Sequence, residues 1–318
     1  MTTAQSQAHQ KLVAIVGPTA VGKSALALAL APRFQGEIVS ADSRQVYRGM
    51  DIGTAKATPQ ERQRVPHHLI DSVSPDQDFS VAVYQSLAWA ALEDIWARGR
   101  LPFLVGGTGL YVRAVLGGLA VPEVPPDPEL RQRLEERAQE EGAEALYQEL
   151  AAVDPAAAAK IHPRNVRRTI RALEVWYKTG RPFSQLGERR PPACDVLTLG
   201  LTTDRKDLYR RIDERVEAML AAGWLDEVQR LMDRGYDFSR PAFSGHGYRE
   251  LAAYLRGEID LPTAVQRVRH LIHRFARSQY AWFRLNDPSI HWFDLHTPDL
   301  EDRAADLVAA WLAGRAAA

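Results

Sequence analysis

One cysteine, Cys194, stands in 318 residues, so no disulfide can form within the chain and no multi-cysteine metal site can be built. A lone thiol suits a reducing compartment, and its expected part is that of a small buried hydrophobe. Neither sign of charge is in excess. Forty Lys and Arg balance forty Asp and Glu, which excludes a global polycation and makes any basic footprint a local one. Long apolar runs are missing as well: none has the length to span a bilayer, and the opening MTTAQSQAHQ lacks the apolar centre of a secretion signal. A soluble, cytoplasmic protein with a frayed amino-terminal tail is expected, long enough for one large domain or two smaller ones.

What is present is concentrated near the start. The apolar run Leu12–Val16 leads into Gly17, Pro18, Thr19, Ala20, Val21, Gly22, Lys23 and Ser24, and then into the helix-forming Ala25–Leu30. Strand, glycine loop and helix in that order make a phosphate cradle. Backbone N–H groups turn inward, the helix terminus adds partial positive charge, Lys23 adds a full one, and the Ser24 hydroxyl is a magnesium ligand. The motif specifies phosphate and does not specify nucleotide.

A second strand over Glu37–Ala41 delivers Asp42 to the crevice that forms at strand ends beside a phosphate loop. There Asp42 is a base, a magnesium partner, or simply the cap of the following turn. The adjacent His67 and His68 would face opposite sides of a strand and suit a shared metal poorly. Asp71, after Leu69 and Ile70, offers instead the acidic strand end that holds magnesium in nucleotide hydrolases.

Apolar spacing through Val83, Leu87, Ala90, Ala91 and Ile95 predicts a crossover helix over Ser80–Arg98, stopped at Gly99. The buried strand Leu101–Val105 follows. It empties into Gly106, Gly107, Thr108 and Gly109, without the acid of a Walker B strand. Thr108 is read either as a helix cap or as a hydroxyl offered to a ligand.

Beyond Gly117 and Gly118, prolines 122, 125, 126 and 128 mark a linker, and residues 127–190 read as helical throughout. The expected fold is therefore α/β, a phosphate-loop parallel sheet flanked by helices, made of residues 1–118 and 195–318 around an all-helical insertion at 119–194. A helix opening at Pro163 gathers Arg164, Arg167, Arg168 and Arg171 on one face, against Val166, Ile170, Leu173 and Tyr177. With no acid at ion-pair spacing before Glu174, this face is read as a phosphate-backbone contact in preference to a solvated stripe. After a strand at Asp195–Leu201, Arg211 and Arg215 lie four apart, able to clamp a diphosphate or to pair with Asp207, Asp213 or Glu214. Arg267, His270, Arg274 and Arg277 form a further basic face near Tyr280 and Trp282; a last strand at Ile290–Leu295 and a helix from Leu300 close the chain.

Six stretches, GPTAVGKS at 17–24, ADSRQVYRGMDIGTAK at 41–56, PHHLID at 66–71, VGGTGLY at 105–111, HPRNVRRTIRALEV at 162–175 and GYREL at 247–251, together resemble the tRNA dimethylallyltransferase family, in its order and over most of the chain. Ser244-Gly245-His246 and Ala276–Gln279 depart somewhat from its pattern. The resemblance implies transfer of a dimethylallyl group from dimethylallyl diphosphate, with Mg2+, to the exocyclic amine of the adenine 3′ of the anticodon, by a monomer. The residues read on their own agree with it: Asp42 is placed as the catalytic base, Thr108 to orient Asp42 or the amine by hydrogen bonding, residues 17–24 with Arg211 and Arg215 to hold the diphosphate, and Ser24 to ligate the metal. The resemblance implies tRNA contacts at Asp42, Ser43, Arg44, Gln45, Arg164, Arg167, Arg168, Arg171, Arg274 and Arg277. The competing readings are a phosphate-loop nucleotide kinase or NTPase with Asp71 on magnesium, an enzyme prenylating free adenine nucleotides, and an RNA-binding module with a vestigial loop.

Overall fold

Leu12–Val16 and Leu101–Val105 contain no polar side chain, and every one of these residues is buried, as in parallel strands covered on both faces. The computed structural model describes residues 10–118, 124–186, 194–245 and 247–314. The amino-terminal tail, linker residues 119–123, the close of the expected helical stretch at 187–193 and His246 lie outside them. The chain divides into two compact units, Met1–Leu116 with Pro192–Ala318, and Gly117–Pro191.

In the first unit β1 (Gln10–Val16), β2 (Gly36–Ser40), β3 (His67–His68) and β4 (Leu101–Val105) alternate with α1 (Lys23–Arg33), α2 (Pro59–Arg64), α3 (Val81–Ala97) and α4 (Gly109–Leu116). The second unit contributes α5 (Pro128–Glu140), α6 (Ala143–Val153), α7 (Pro155–Ala158) and α8 (Val166–Thr179). The first unit resumes with β5 (Cys194–Thr202), α9 (Arg205–Ala221), α10 (Trp224–Asp233), α11 (Tyr248–Leu255), α12 (Leu261–Gln279), β6 (Ile290–Asp294) and α13 (Leu300–Leu312). The six strands form one sheet, all pairs parallel, in the order β3-β2-β4-β1-β5-β6. Alternate residues serve opposite faces: Val13, Ile15, Phe103 and Leu199 pack with α1 and α9–α13, whereas Leu12, Val16, Val39 and Leu104 pack with α3, α4 and Phe283.

The ends of β1, β2, β4, β5 and β6 fall within two residues of expectation, but β3 stops at His68, three residues short of the acidic strand end expected at Asp71, and the buried face of α3 does not fall where the spacing put it. Tyr84, Ala88, Leu92 and Ile95 are buried, while Val83 and Leu87 are exposed. The helix is apolar on most sides, so the pattern carried little information about which side faces the sheet. Cys194 opens β5 only half-buried, where a buried small hydrophobe was expected; burial, with Asp195 adding, still pushes its pKa up to about 11. Among the described residues no helix is long and apolar enough to cross a membrane.

The second unit has its own core, built on Leu134, Leu146, Leu150, Ile170 and Leu173. Its last helix begins later than Pro163: Asn165 caps α8, its Oδ1 accepting the Arg168 N–H at 3.3 Å. Glu174, fully buried, accepts from Arg131 Nε and Nη2, each at 2.8 Å, from Arg171 Nη1 at 2.6 Å and from the Asp127 N–H at 2.7 Å. Arg171 also donates to the Val124 carbonyl. It is therefore a strut of this unit and not part of an open basic face, which keeps Arg164, Arg167 and Arg168, all exposed. Tyr177, expected on the apolar side, is half exposed and donates to Glu149.

Candidate active site

β1 ends at Val16 and the chain turns at once through Gly17, whose φ is 138°. A Cβ there would lie 2.3 Å from the Leu201 carbonyl oxygen, so only glycine permits this approach to β5. Gly22, at φ 93°, starts α1 and aims its first N–H groups back into the loop. Lys23 Nζ donates to the Pro18 carbonyl at 2.6 Å. Burial, and secondarily Arg215, pull the Lys23 pKa down to about 7, with Asp42 opposing.

Residues 19, 20 and 22–24 of the loop line one wall of a cavity of about 670 Å³. Asp42, Gly106 and Gly107 line it too, from the ends of β2 and β4, as do Arg211 and Arg215 from α9. Its apolar surface includes Leu28, Ile38, Val105, Val216, Met219 and Ile272. Arg211 Nε donates to the Ala20 carbonyl at 3.0 Å, which fixes the arginine over the loop. The acids that competed for these arginines are taken elsewhere. Asp207 and Glu214 pair with Arg210, and Asp213 meets His273 at 2.9 Å. Among the described residues neither Arg211 nor Arg215 has a carboxylate within ion-pair distance.

Asp42 does cap its turn: Oδ1 accepts the Arg44 N–H at 2.8 Å, while Oδ2 is bonded to no described residue. The cap and the open role coexist in one carboxylate. Thr108 differs from expectation. Its Oγ1 accepts the Ser43 N–H at 3.0 Å and lies 3.4 Å from Ser43 Oγ, so it holds the residue beside Asp42 and does not bond to Asp42, nor does it line the cavity. Arg44 is likewise anchored: its guanidinium donates to the Pro241 and Ala242 carbonyls and to Ser244 Oγ. Gln45 lines the cavity and donates to the Thr54 and Ala55 carbonyls while accepting from Ser40 Oγ. On α12 Arg274 is exposed, and Arg277 Nη1 donates to Tyr209 Oη at 2.7 Å.

His67 donates to the Val65 carbonyl and His68 meets Glu37, each at 2.7 Å and with different partners. Asp71 receives Lys56 Nζ at 2.6 Å on one oxygen and Arg62 at 2.8 Å on the other, so it is not an open magnesium ligand. Sequence reasoning missed the cavity's third wall. Gly53–Ala57 line it, and this segment hangs from the buried Glu227, which accepts the N–H groups of Asp51, Ile52 and Gly53 at 2.8, 2.7 and 3.2 Å and the Tyr248 hydroxyl at 2.7 Å. The only signal for that wall is the stretch 41–56; nothing near Glu227 announces partners so distant in the chain.

Phosphate-loop α/β proteins are built in this way, and here the loop looks across its cavity at a carboxylate. The chain belongs to the tRNA dimethylallyltransferase family. It matches the model for IPP transferase over residues 45–286 and that for isopentenyl transferase over residues 10–75. It is 58% identical to the tRNA dimethylallyltransferase of Roseiflexus sp. (strain RS-1), over 95% of this chain and 98% of that protein. To that of Geobacillus thermodenitrificans it is 47% identical, over 96% and 97%. Among solved structures it is similar to the tRNA isopentenylpyrophosphate transferase of Bacillus halodurans, with TM-score 0.69 and 44% identity over 96% of each chain. It is also similar to a eukaryotic dimethylallyltransferase acting on tRNA, with TM-score 0.83 and 28% identity over 96% of this chain and 80% of that one.

Proposed function

We propose that the protein transfers the dimethylallyl group of dimethylallyl diphosphate to the exocyclic N6 of the adenine 3′-adjacent to the anticodon of tRNA, releasing diphosphate. The observation that carries this reading is one cavity holding the phosphate loop, Arg211 and Arg215, which have no carboxylate at ion-pair distance among the described residues, and Asp42, whose Oδ2 is bonded to none of them. An adenine amine is a weak nucleophile because its lone pair is delocalised into the ring. As N6 bonds to the allylic carbon, the carbon–oxygen bond to diphosphate breaks and Asp42 takes the N6 proton. Loop N–H groups, Lys23, Arg211 and Arg215 neutralise the departing diphosphate. The cavity's apolar wall suits a branched five-carbon chain.

A magnesium ion fits this site as a partner of the diphosphate. Ser24 sits in the first turn of α1, on the cavity, and among the described residues there is no cluster of three His, Cys, Asp or Glu to make an all-protein site. Bound there, magnesium supplies charge neutralisation to the leaving group. Thr108 acts through Ser43 as a support for Asp42. An adenine stacked in the anticodon loop cannot enter such a cavity, so it is flipped out, with the exposed Arg164, Arg167 and Arg168, and Arg274, on the RNA backbone. We assign the reaction to a cytoplasmic monomer.

Mass spectrometry of nucleosides from tRNA incubated with the protein, Mg2+ and dimethylallyl diphosphate tests the proposal. Prenylated adenosine at the anticodon-adjacent position is expected. Product only on free adenine nucleotides, or phosphoryl transfer from ATP in its place, would overturn it.

A further inference from the structure

Gln279 is the last residue of α12 and is 3% exposed, and both ends of its amide are engaged. Oε1 accepts the N–H of Thr19 in the phosphate loop at 2.8 Å, and Nε2 donates to the carbonyl of Gly107 at 2.7 Å. A donor facing one end and an acceptor facing the other fix the amide in a single orientation. The fit is close: a Cβ on Gly107 would lie 2.1 Å from Nε2 and 3.3 Å from the Gly17 carbonyl oxygen. Among the described residues no direct hydrogen bond joins loop 17–24 to loop 106–109. The second loop is in turn the shelf beneath Asp42. The Thr108 N–H donates to the Ala41 carbonyl at 3.2 Å, and the Thr108 hydroxyl accepts the Ser43 N–H at 3.0 Å.

We infer that Gln279 is a positioning residue for the transfer, setting the separation between the diphosphate cradle and the carboxylate that accepts the N6 proton. It carries no charge and touches neither reacting group; it acts through Thr19 and Gly107. The inference rests on the phosphate-loop reading given under Proposed function. Transfer needs the allylic carbon, N6 and Asp42 aligned together, and a shift of one loop against the other degrades turnover before it degrades binding.

Two substitutions test this, with turnover and KM for dimethylallyl diphosphate measured on tRNA, binding of inorganic diphosphate measured by calorimetry, and melting curves recorded for each protein. Gln279→Met keeps the length and removes both hydrogen bonds; kcat should fall about tenfold or more, with KM changed far less, at temperatures well below its melting point. Gln279→Glu keeps an acceptor for Thr19 but, when ionised, turns a second acceptor on the Gly107 carbonyl; its protonated acid restores the donor. The ratio of Gln279→Glu turnover to wild-type turnover should therefore rise as pH is lowered, while the Gln279→Met ratio stays flat. Melting curves recorded over the same pH range identify a residue that only supports the fold, for which the turnover ratio would follow stability.

Turnover of Gln279→Met within about twofold of wild type, or a Gln279→Glu ratio that is flat with pH, overturns the inference. If Gln279→Met does not fold, the pH ratio decides alone. Lys23→Ala separates this from failure of the underlying reading. If wild type does not bind diphosphate, or Lys23→Ala binds it equally well, the phosphate-loop reading fails and Gln279 with it. If that control behaves and the Gln279 variants match wild type, this inference alone fails.

Discussion

Glu227 Oε2 accepts the N–H groups of both Asp51 and Ile52, at 2.8 and 2.7 Å, so a buried carboxylate on α10 is held by backbone and a phenol, with no cation at ion-pair distance among the described residues. The arrangement resembles an anion nest with the anion supplied by the protein. Glu227→Ala would strand three N–H groups and the Tyr248 hydroxyl. A loss of stability on the order of 3–5 kcal/mol is expected in urea unfolding, with a raised KM for dimethylallyl diphosphate in whatever protein remains folded. Unfolding unchanged within experimental error would show that the segment 51–57 is held by other means.

Asp42→Asn keeps an oxygen able to accept the Arg44 N–H and removes the base. Turnover should fall by roughly 10²–10⁴ while tRNA affinity, read by filter binding, stays close to wild type. An unaltered rate would take Asp42 out of the proton transfer.

In the helical unit the arginines separate by partner. Arg167→Glu with Arg168→Glu should weaken tRNA binding and flatten its salt dependence by roughly 0.7–0.9 in slope for each phosphate no longer neutralised. Arg171→Ala should instead lower the thermal stability of the unit, because Glu174 is buried and would be deprived of one of its cations. A salt slope identical to wild type in the double variant would exclude this face from the RNA.

Lys23, held down to about 7 first by burial and then by Arg215, is charged in the free protein below that pH and increasingly neutral above it. A diphosphate at the loop favours the charged form. Binding of inorganic diphosphate at pH 8 should therefore take up a proton, and affinity should fall as pH rises through 7. Calorimetry in buffers of different ionisation enthalpy counts that proton, and zero uptake would contradict the depressed value. The stability effect has a defined sign: the unfolded lysine near 10.5 binds more protons than the folded one between pH 7 and 10.5, so the Lys23 penalty fades across that window as pH rises.

What could be read in the sequence was local. The all-apolar Leu101–Val105 needs no distant partner to be recognised as a buried strand, and the glycines at 17 and 22 announce a turn wherever they occur. The α3 face could not be chosen because Val83 and Leu87 are as apolar as Leu92 and Ile95, and only the sheet decides between them. The strut role of Arg171 was within reach, since Glu174 is three residues away, but the second cation on that acid, Arg131, is not legible from α8. Glu227 and Gly53 are separated by 174 residues, and Thr19 and Gln279 by 260; pairings of that span leave no trace in spacing or composition. The walls of the cavity were thus partly foreseen, and the groups that brace them were not.

The Leu201 carbonyl that presses against Gly17 belongs to β5, which follows the whole helical unit in the chain. β1 lies between β4 and β5 in the sheet. On the ribosome, the strand that leads into the phosphate loop must therefore wait, one edge unpaired, while the intervening helices are synthesised. Until β5 emerges and closes over it, that central strand is exposed to aggregation and to chaperones, and the ability to bind diphosphate should appear late in translation.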